Sequence, residues 1–372
     1  MSFTSREIRS TIGANHSLAL SLATQPVGDP ADDEVIVRIE AAPLNPSDIG
    51  LMLGPAKIST MRADGSGLVF DLPSDGLDGL AARIDKPIPI GTEAAGTVVA
   101  AGANARALEG RVVGLWGGGM YADYRRIAAS AVVPLPDGMR AADGAGMFVN
   151  PMTALGFVET ARRGGHRAMV HTAAASNLGQ MLQKICLADD ITLVNIVRSR
   201  SQEALMHDIG ATLVLNSSED DFTERLTDML AKTGATVAFD AIGGGTLGGA
   251  ILRAMERAAA RDMREYSRYG SGLFKQLYIY GNLDPGQTLL DRTSLGYDWS
   301  VSGWLLMPFL RAAGASVIAQ MQARIIRERS TIFASSFSRE IGLAEALTPE
   351  ILRAFERRST GDKFLINPTL DR

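Results

Sequence analysis

Residues 171–180, HTAAASNLGQ, lie where an apolar run, RAMV, gives way to an amphipathic stretch, LGQMLQKICLA. A strand, a tight turn of small residues and a helix in that order aim backbone N–H groups and the positive end of a helix dipole at one point. That arrangement suits an anion such as a phosphate. The dinucleotide-binding pattern G-x-G-x-x-G falls on Ala174, Ser176 and Gly179, so the glycine retained is the third, which lets helix and strand pack closely. Small side chains let a pyrophosphate approach the backbone of Ala174, Ala175 and Leu178, and Ser176 and Asn177 add side-chain donors. Small residues also serve packing in such turns, so a turn without a ligand is the competing reading.

The second strand, ITLVNIV, ends in Arg198-Ser199-Arg200. A site that prefers NAD places a carboxylate there for the ribose 2′-hydroxyl, whereas a guanidinium pairs bidentately with a 2′-phosphate. Arg198 and Arg200 therefore point to NADPH as the cofactor; the alternative is that both are solvated residues at a helix start. Two later strands end in glycine, FDAIGGG and YIYGNLD. Ligands of open α/β sheets sit beyond such strand ends, so the backbones of Gly243, Gly281 and Asn282 are candidates to line the nicotinamide half.

A reduced nicotinamide carries its own hydride, so the protein must mainly place donors where negative charge grows on the acceptor oxygen. Asn45, in the Pro-flanked turn LNPSD, is the first candidate, followed by Tyr121 and Trp116 in GLWGGGMYADY. The competing readings are an ordinary turn asparagine and core aromatics. Asp48 reads as a helix cap, Glu93 as a structural carboxylate, Cys186 as a buried small residue and His171 as core.

These groups must be held by two kinds of structure. The first part of the chain is β-like: EVIVRIEAAPLN alternates, and GTEAAGTVVAAG and GRVVGLWGGGMYADYRRI are punctuated by glycine. From about residue 141, AADGAGMFVNPMTALGFVETARRGG reads as a helix, and apolar strands then alternate with helices at βαβ spacing, which is a doubly wound parallel sheet. The tail from 331 reads as strand, helix and strand that rejoin the β domain. The boundaries expected are 1–145 with 331–372, and 146–330.

At 372 residues, two domains are the natural division. Charge is balanced, 37 Lys and Arg against 41 Asp and Glu, with no basic patch for nucleic acid or an anionic membrane, so a small molecule is the expected partner. No signal peptide and no span-length apolar stretch is visible, and the expected location is cytoplasmic. Cys186 is the single cysteine, which excludes an internal disulfide and a four-cysteine zinc site, and no metal is expected.

Taken in order, LNPSD (44–48), GTEAAGTVVAAG (91–102), GMYADY (119–124), NPMTALGFVE (150–159), the turn at 173–179, IGAT (209–212) and GDKFLINP (361–368) resemble the medium-chain dehydrogenase/reductase superfamily, in its zinc-free quinone-reductase and enoyl-reductase branches. The resemblance implies an α/β protein with a GroES-like β-barrel domain and a Rossmann doubly wound parallel-sheet domain, an active site in the cleft between them, and a homodimer. The turn SNLGQ followed by NIVRSR is most similar to mitochondrial-type 2-enoyl thioester reductases, which use NADPH.

Two departures refine it. Zinc-dependent alcohol dehydrogenases carry a cysteine ligand in the region of Asn45–Asp48 and a four-cysteine lobe after GTE; neither is present, and the only histidine in the β domain is His16. Mitochondrial-type enoyl reductases carry a tyrosine shortly after NPSD, whereas IGLMLGPAKIST has none. The reading is a zinc-independent NADPH-dependent reductase of quinones or α,β-unsaturated carbonyls. A 2-enoyl thioester reductase and a non-catalytic NADPH-binding or structural protein are the alternatives. Two insertions stand out, 55–90, read as a lid or a surface excursion, and 256–276, read as packing or subunit contact.

Overall fold

The structure, a computed structural model, describes residues 3–77, 79–357 and 363–371. Two compact units divide the chain, Met1–Val149 with Ser335–Arg372, and Asn150–Ala334.

The first unit opens with a hairpin of β1 (Thr4–Gly13) and β2 (Ser17–Pro26), paired antiparallel from Thr4↔Pro26 to Gly13↔Ser17. Ile8 and Ile12 on β1 and Leu18 and Leu20 on β2 are buried at alternate positions, the pattern of a sheet with one face on a core. β3 (Glu34–Pro43) runs into α1 (Pro46–Leu53), whose first residue is proline, placed where its missing N–H has no helical partner to lose.

Much of the long 55–90 segment is built into the sheet. It forms β4 (Arg62–Asp64), β5 (Gly67–Asp71) and β6 (Ile88–Pro89), which extend the hairpin into a sheet of order β4-β5-β2-β1-β6. The physical reason is plain in its sequence: Leu68 and Phe70 alternate between Gly67 and Pro73 and bury against the barrel core. Arg83 from the same segment reaches back to α1, with Nη2 donating to the Leu51 carbonyl (3.4 Å) and to Ser10 Oγ (3.2 Å), so a cation sits at the helix C-terminus.

β7 (Glu93–Ala101), β8 (Val112–Trp116), β9 (Tyr124–Ala128) and β10 (Val132–Pro134) follow, then α2 (Ala141–Gly144) and α3 (Val149–Arg163). A single helix was expected over this last stretch. It is broken at 145–148 because the N–H groups of Phe148 and Val149 turn to the Glu93 carboxylate.

The second unit contains β11 (Ala168–His171), α4 (Asn177–Ala188), β12 (Thr192–Val197), α5 (Arg200–Asp208), β13 (Val214–Asn216), α6 (Phe222–Thr233), β14 (Val237–Asp240), β15 (Gly243–Gly245), α7 (Leu247–Arg261), β16 (Lys275–Ile279), β17 (Asp284–Thr288) and β18 (Trp299–Gly303). Strands of order β13-β12-β11-β14-β16-β18, parallel at every pairing, make the doubly wound sheet, with the order reversing between β11 and β14. Val170, Val194, Ala238 and Leu277 from the sheet pack with Leu226, Ile251 and Leu252 from the helices. The glycine run after β14 is not an open loop: β15 pairs with β17 in a small separate sheet. α8 (Leu306–Ala313) and α9 (Ala315–Arg327) complete the unit.

The 256–276 segment is tied down by a buried ion pair. Lys275 Nζ, fully buried, donates to Glu256 Oε2 at 2.6 Å, and Ser271 Oγ donates to the same oxygen at 2.6 Å. Gly270 and Gly296, both in left-handed conformations (φ +83° and +69°), close over the carboxylate, and a Cβ on either would stand 2.4–2.5 Å from its oxygens.

The tail returns as β19 (Arg339–Ile341), α10 (Leu343–Ala346), α11 (Pro349–Arg357) and β20 (Phe364–Ile366). β20 pairs with the end of β3 (Leu365↔Pro43, Ile366↔Ala42), giving the order β10-β8-β7-β3-β20-β19 with β9 also on β3. Gly361 and Asp362 of the closing motif lie outside the described residues. Among the described residues, no helix is long and apolar enough to cross a membrane.

Removing one partner of a buried ion pair strands the other charge. Glu256→Ala is therefore expected to destabilise the protein by about 3–5 kcal/mol, read from urea unfolding midpoints. A change within error would show that Lys275 is solvated in solution.

Candidate functional site

In the second unit the candidate residues gather at the carboxyl ends of β11 and β12. After β11 the chain turns sharply: Ala173 adopts φ +51°, a left-handed conformation that suits glycine. The left-handed position falls one residue before the first glycine of the aligned pattern. Ser176 then caps α4, its Oγ accepting from Gly179 N at 3.1 Å, so part of its acceptor capacity is turned to the helix while its O–H stays a donor. Gly179 is required sterically, since a Cβ there would lie 2.2 Å from the Ala174 carbonyl oxygen. Ala174 and Ala175 are buried beneath the turn, and Asn177 and Leu178 form the first turn of α4. Ala174 N donates to the Ile196 carbonyl (3.1 Å), which fixes the turn against the end of β12.

Two residues past that contact stands Arg198, and Arg200 opens α5. Both side chains are exposed, and among the described residues no carboxylate lies within ion-pair distance of either. The Arg198 N–H donates to Gln202 Oε1 (3.1 Å), and Ser199 caps the helix through Gln202 N (3.3 Å). Backbone positions are thereby set while the guanidinium groups stay uncommitted to acids.

The switch between β11 and β14 is held by a pair the sequence reading missed. Asp240, fully buried, accepts from Thr172 Oγ1 (2.7 Å), Ile242 N (3.0 Å) and Gly243 N (3.1 Å), and Thr172 Oγ1 in turn accepts from Ala241 N (2.8 Å). A threonine after an apolar strand and an aspartate ending another carry no signal until the strands are neighbours. The pair also bears on Gly243, a candidate to line the nicotinamide half. Its N–H goes to Asp240 and its carbonyl accepts from Thr288 Oγ1 (2.7 Å), so its backbone is committed within the protein. Gly281 is packed under Ala241, where a Cβ would sit 2.4 Å from the carbonyl oxygen, and Asn282 is exposed.

His171 is core. Its Nε2 lies 2.8 Å from the Tyr280 hydroxyl, and burial pushes its pKa down to about 3, so the ring is neutral. Cys186 is buried in α4, and its thiol is pushed up to about 12.

In the first unit, Asn45, Asp48, Glu93 and Tyr121 form one buried cluster. Asn45 N donates to Asp48 Oδ2 (2.9 Å), and Asn45 Nδ2 donates to Glu93 Oε1 (2.7 Å). Glu93 Oε2 accepts from Phe148 N (3.0 Å) and Val149 N (2.8 Å). Burial raises its pKa, opposed by the charge of Lys363 and by these donors. Burial also raises Asp48 to about 6, opposed by the Asn45 N–H and the Tyr121 O–H.

Tyr121 is corrected by its surroundings. Its side chain is fully buried and its hydroxyl donates to Asp48 Oδ2 (2.8 Å) and lies 3.1 Å from the Pro43 carbonyl, so it supports the turn instead of facing a substrate. Trp116 packs on Phe148 with ring centroids 4.7 Å apart. Among the described residues no group of three or more His, Cys, Asp or Glu could hold a metal ion.

Residues 31–137, which include Asn45, Asp48, Glu93 and Tyr121, match the alcohol dehydrogenase GroES-like domain family. A solved structure from Mesorhizobium loti, assigned as an NADPH:quinone reductase, superposes with a TM-score of 0.74 at 24% identity over 98% of both chains. Over nearly its whole length the chain shares the fold of that structure. The Escherichia coli quinone oxidoreductase, solved with NADPH, has the same fold, with a TM-score of 0.68 at 18% identity over 98% of this chain and 100% of that one. Mitochondrial enoyl-[acyl-carrier-protein] reductase from Xenopus tropicalis is 28% identical over 213 residues. The chain spans about half the length of this relative, 53%, with 54% of its own.

Asp48 gives this buried cluster a pH signature. Its folded pKa of about 6 lies above the ordinary 3.8, so below pH 4 both states are protonated, and stability is lost as pH rises from about 4 to 6. The full difference is about 3 kcal/mol. His171 acts oppositely as pH falls below 6.5, so the comparison must be between variants. The stability of Asp48→Asn relative to the wild type is expected to rise across pH 4–7 in urea unfolding; a constant difference would place the Asp48 titration elsewhere.

Proposed function

We propose that this chain is a zinc-independent, NADPH-dependent oxidoreductase that delivers hydride to a quinone or to an α,β-unsaturated carbonyl compound. The observation that carries the reading is the pair of exposed arginines, Arg198 and Arg200, beside a helix N-terminus tied by Ala174 to the same strand end. The small residues there leave room for a pyrophosphate, and the arginines suit a 2′-phosphate. The NADPH in the E. coli relative supports the same cofactor.

Bound there, NADPH supplies the hydride. The chain's own contribution is positioning and electrostatics. The first turn of α4, with Ala175, Ser176, Asn177 and Leu178, holds the pyrophosphate, and Arg198 and Arg200 hold the 2′-phosphate. Gly281 and Asn282 stay candidates for the nicotinamide end, with Gly243 giving room in place of hydrogen bonds. Asn45 is the donor toward the acceptor oxygen, its amide fixed by Glu93. Tyr121 has no part in the reaction under this reading.

Zinc independence is supported by the donor set. The first unit contains no cysteine. The similarity to the Xenopus enoyl reductase favours 2-enoyl thioesters as the second acceptor class. Quinones and small enones come first because no tyrosine follows NPSD and no basic groove for a coenzyme A tail is evident in the sequence. The proposal includes a homodimer, which sedimentation velocity tests.

NADPH oxidation, followed by the absorbance of the reduced nicotinamide, is expected with 1,4-benzoquinone or a small enone. Turnover of a short 2-enoyl thioester alone would select the second class. Absence of NADPH binding would leave a non-catalytic protein. Arg198→Ala is expected to weaken NADPH binding by about ten- to a hundred-fold with little change for NADH, since a charged hydrogen bond contributes roughly 1.5–3 kcal/mol. Equal losses for the two nucleotides would show that Arg198 does not contact the 2′-phosphate.

A further inference from the structure

Beside the Asn45–Glu93 pair lies a group that neither the motifs nor the comparisons assign. Lys363 immediately precedes β20, and its backbone is fixed by two bonds to Ser338: its N–H donates to Ser338 Oγ (3.1 Å), and its carbonyl accepts from Ser338 N (2.8 Å). Its side chain is half-buried. The ammonium sits 4.9 Å from the centre of the Phe337 ring and makes one long hydrogen bond, 3.5 Å, to Ser335 Oγ. Among the described residues no carboxylate stands within 4 Å of it. Burial lowers its pKa, and the negative charge of Glu93 works in the opposite direction.

The three groups converge on Gly146. A Cβ built on that glycine would meet Lys363 Nζ at 3.5 Å, Ser335 Oγ at 3.6 Å and Phe337 Cζ at 3.8 Å. The missing side chain leaves a small cradle lined by a cation, a hydroxyl and an aromatic ring. A partly buried ammonium that meets no acid among the described residues attracts a ligand oxygen that carries negative charge. The neighbouring ring gives such a ligand an apolar, planar surface.

We propose that Lys363 is a catalytic residue that binds the acceptor's carbonyl oxygen in the cradle over Gly146 and donates a proton to it. This rests on the reductase reading above. Hydride from the reduced nicotinamide brings two electrons to the acceptor and leaves an enolate or hydroquinone anion. One Lys363 N–H bond then breaks, and its proton goes to that oxygen, giving the enol or the hydroquinone. The enol ketonises in water, and the free amine regains its proton from solvent. Glu93, through its charge, keeps Lys363 protonated at the start of the cycle.

The first test needs no cofactor. 4-Nitrophenol is a planar phenol whose coloured anion reports its ionisation, and the full chain is titrated with it. The wild type is expected to favour the phenolate, shifting its ionisation to lower pH. Lys363→Met is expected to lose about ten- to a hundred-fold in phenolate affinity, and Lys363→Arg to restore most of it. Gly146→Ala, whose new methyl meets its neighbours at ordinary contact distances, is expected to keep the fold and weaken binding by filling the cradle.

The second test is the pH profile of NADPH oxidation. In the wild type kcat falls as pH rises through the titration of Lys363, because the proton donor is lost. Lys363→Met is expected to lower kcat by about a hundred-fold and remove that limb, and Lys363→Arg to move it to higher pH. No phenolate binding by the wild type, equal phenolate affinity in the wild type and Lys363→Met, or an unaltered alkaline limb in Lys363→Arg would each overturn the proposal. If none of the quinone, enone and 2-enoyl thioester acceptors supports NADPH oxidation by the wild type, the reductase reading fails, and the phenolate titration still decides whether Lys363 forms an oxyanion subsite.

Discussion

A buried carboxylate organises the first unit. Glu93 stands at the first residue of β7 with no exposed surface, and it holds three N–H donors from two other parts of the chain: the Asn45 amide at the start of α1, and the Phe148 and Val149 backbones at the start of α3. An ionised carboxylate in an apolar interior is tolerated only when its oxygens are filled. That requirement breaks the helix at 145–148 and orients Asn45. It also sets a negative charge against Lys363 across the cluster. One desolvated group therefore fixes the geometry of the turn, the helix start and the cation.

The neighbouring carboxylate works differently. Asp48 accepts from Asn45 N and from Tyr121, and both it and Glu93 are wholly buried. Two acids so close repel, and their pKa values rise together with burial. Tyr121 is part of that balance. A phenol that donates into a buried carboxylate secures the LNPSD turn, and Gly91, where a Cβ would lie 2.7 Å from the ring, leaves it room.

In the second unit the same physics acts through smaller groups. The switch point is closed by Thr172 and Asp240, and the βα turn by Ser176 capping α4 and by Gly179 packing on Ala174. Ala173 holds a left-handed conformation that glycine adopts more easily, a local strain at the position where a ligand phosphate would approach. The arginines beyond β12 need no such support. Their exposure is what leaves them free to meet a charged ligand.

The sequence by itself determined the two architectures, because each depends on a period: alternation in β3 for the barrel, and near-continuous apolar runs in β11, β12 and β14 for a sheet buried on both faces. It also placed the turn of small residues beside the arginines, since both lie within one βαβ unit where spacing along the chain is spacing in space. Tertiary structure alone decided the rest. The segment that carries Leu68 and Phe70 read as a lid or a surface excursion until β2 offered an unpaired edge. Tyr121 looked like a donor to substrate until Asp48 was placed beneath it. Glu93, Asn45 and Lys363 are separated by tens to hundreds of positions, and Thr172 and Asp240 by 68. No local pattern marks such partners, because a buried polar contact is specified by the folding of distant segments onto one another.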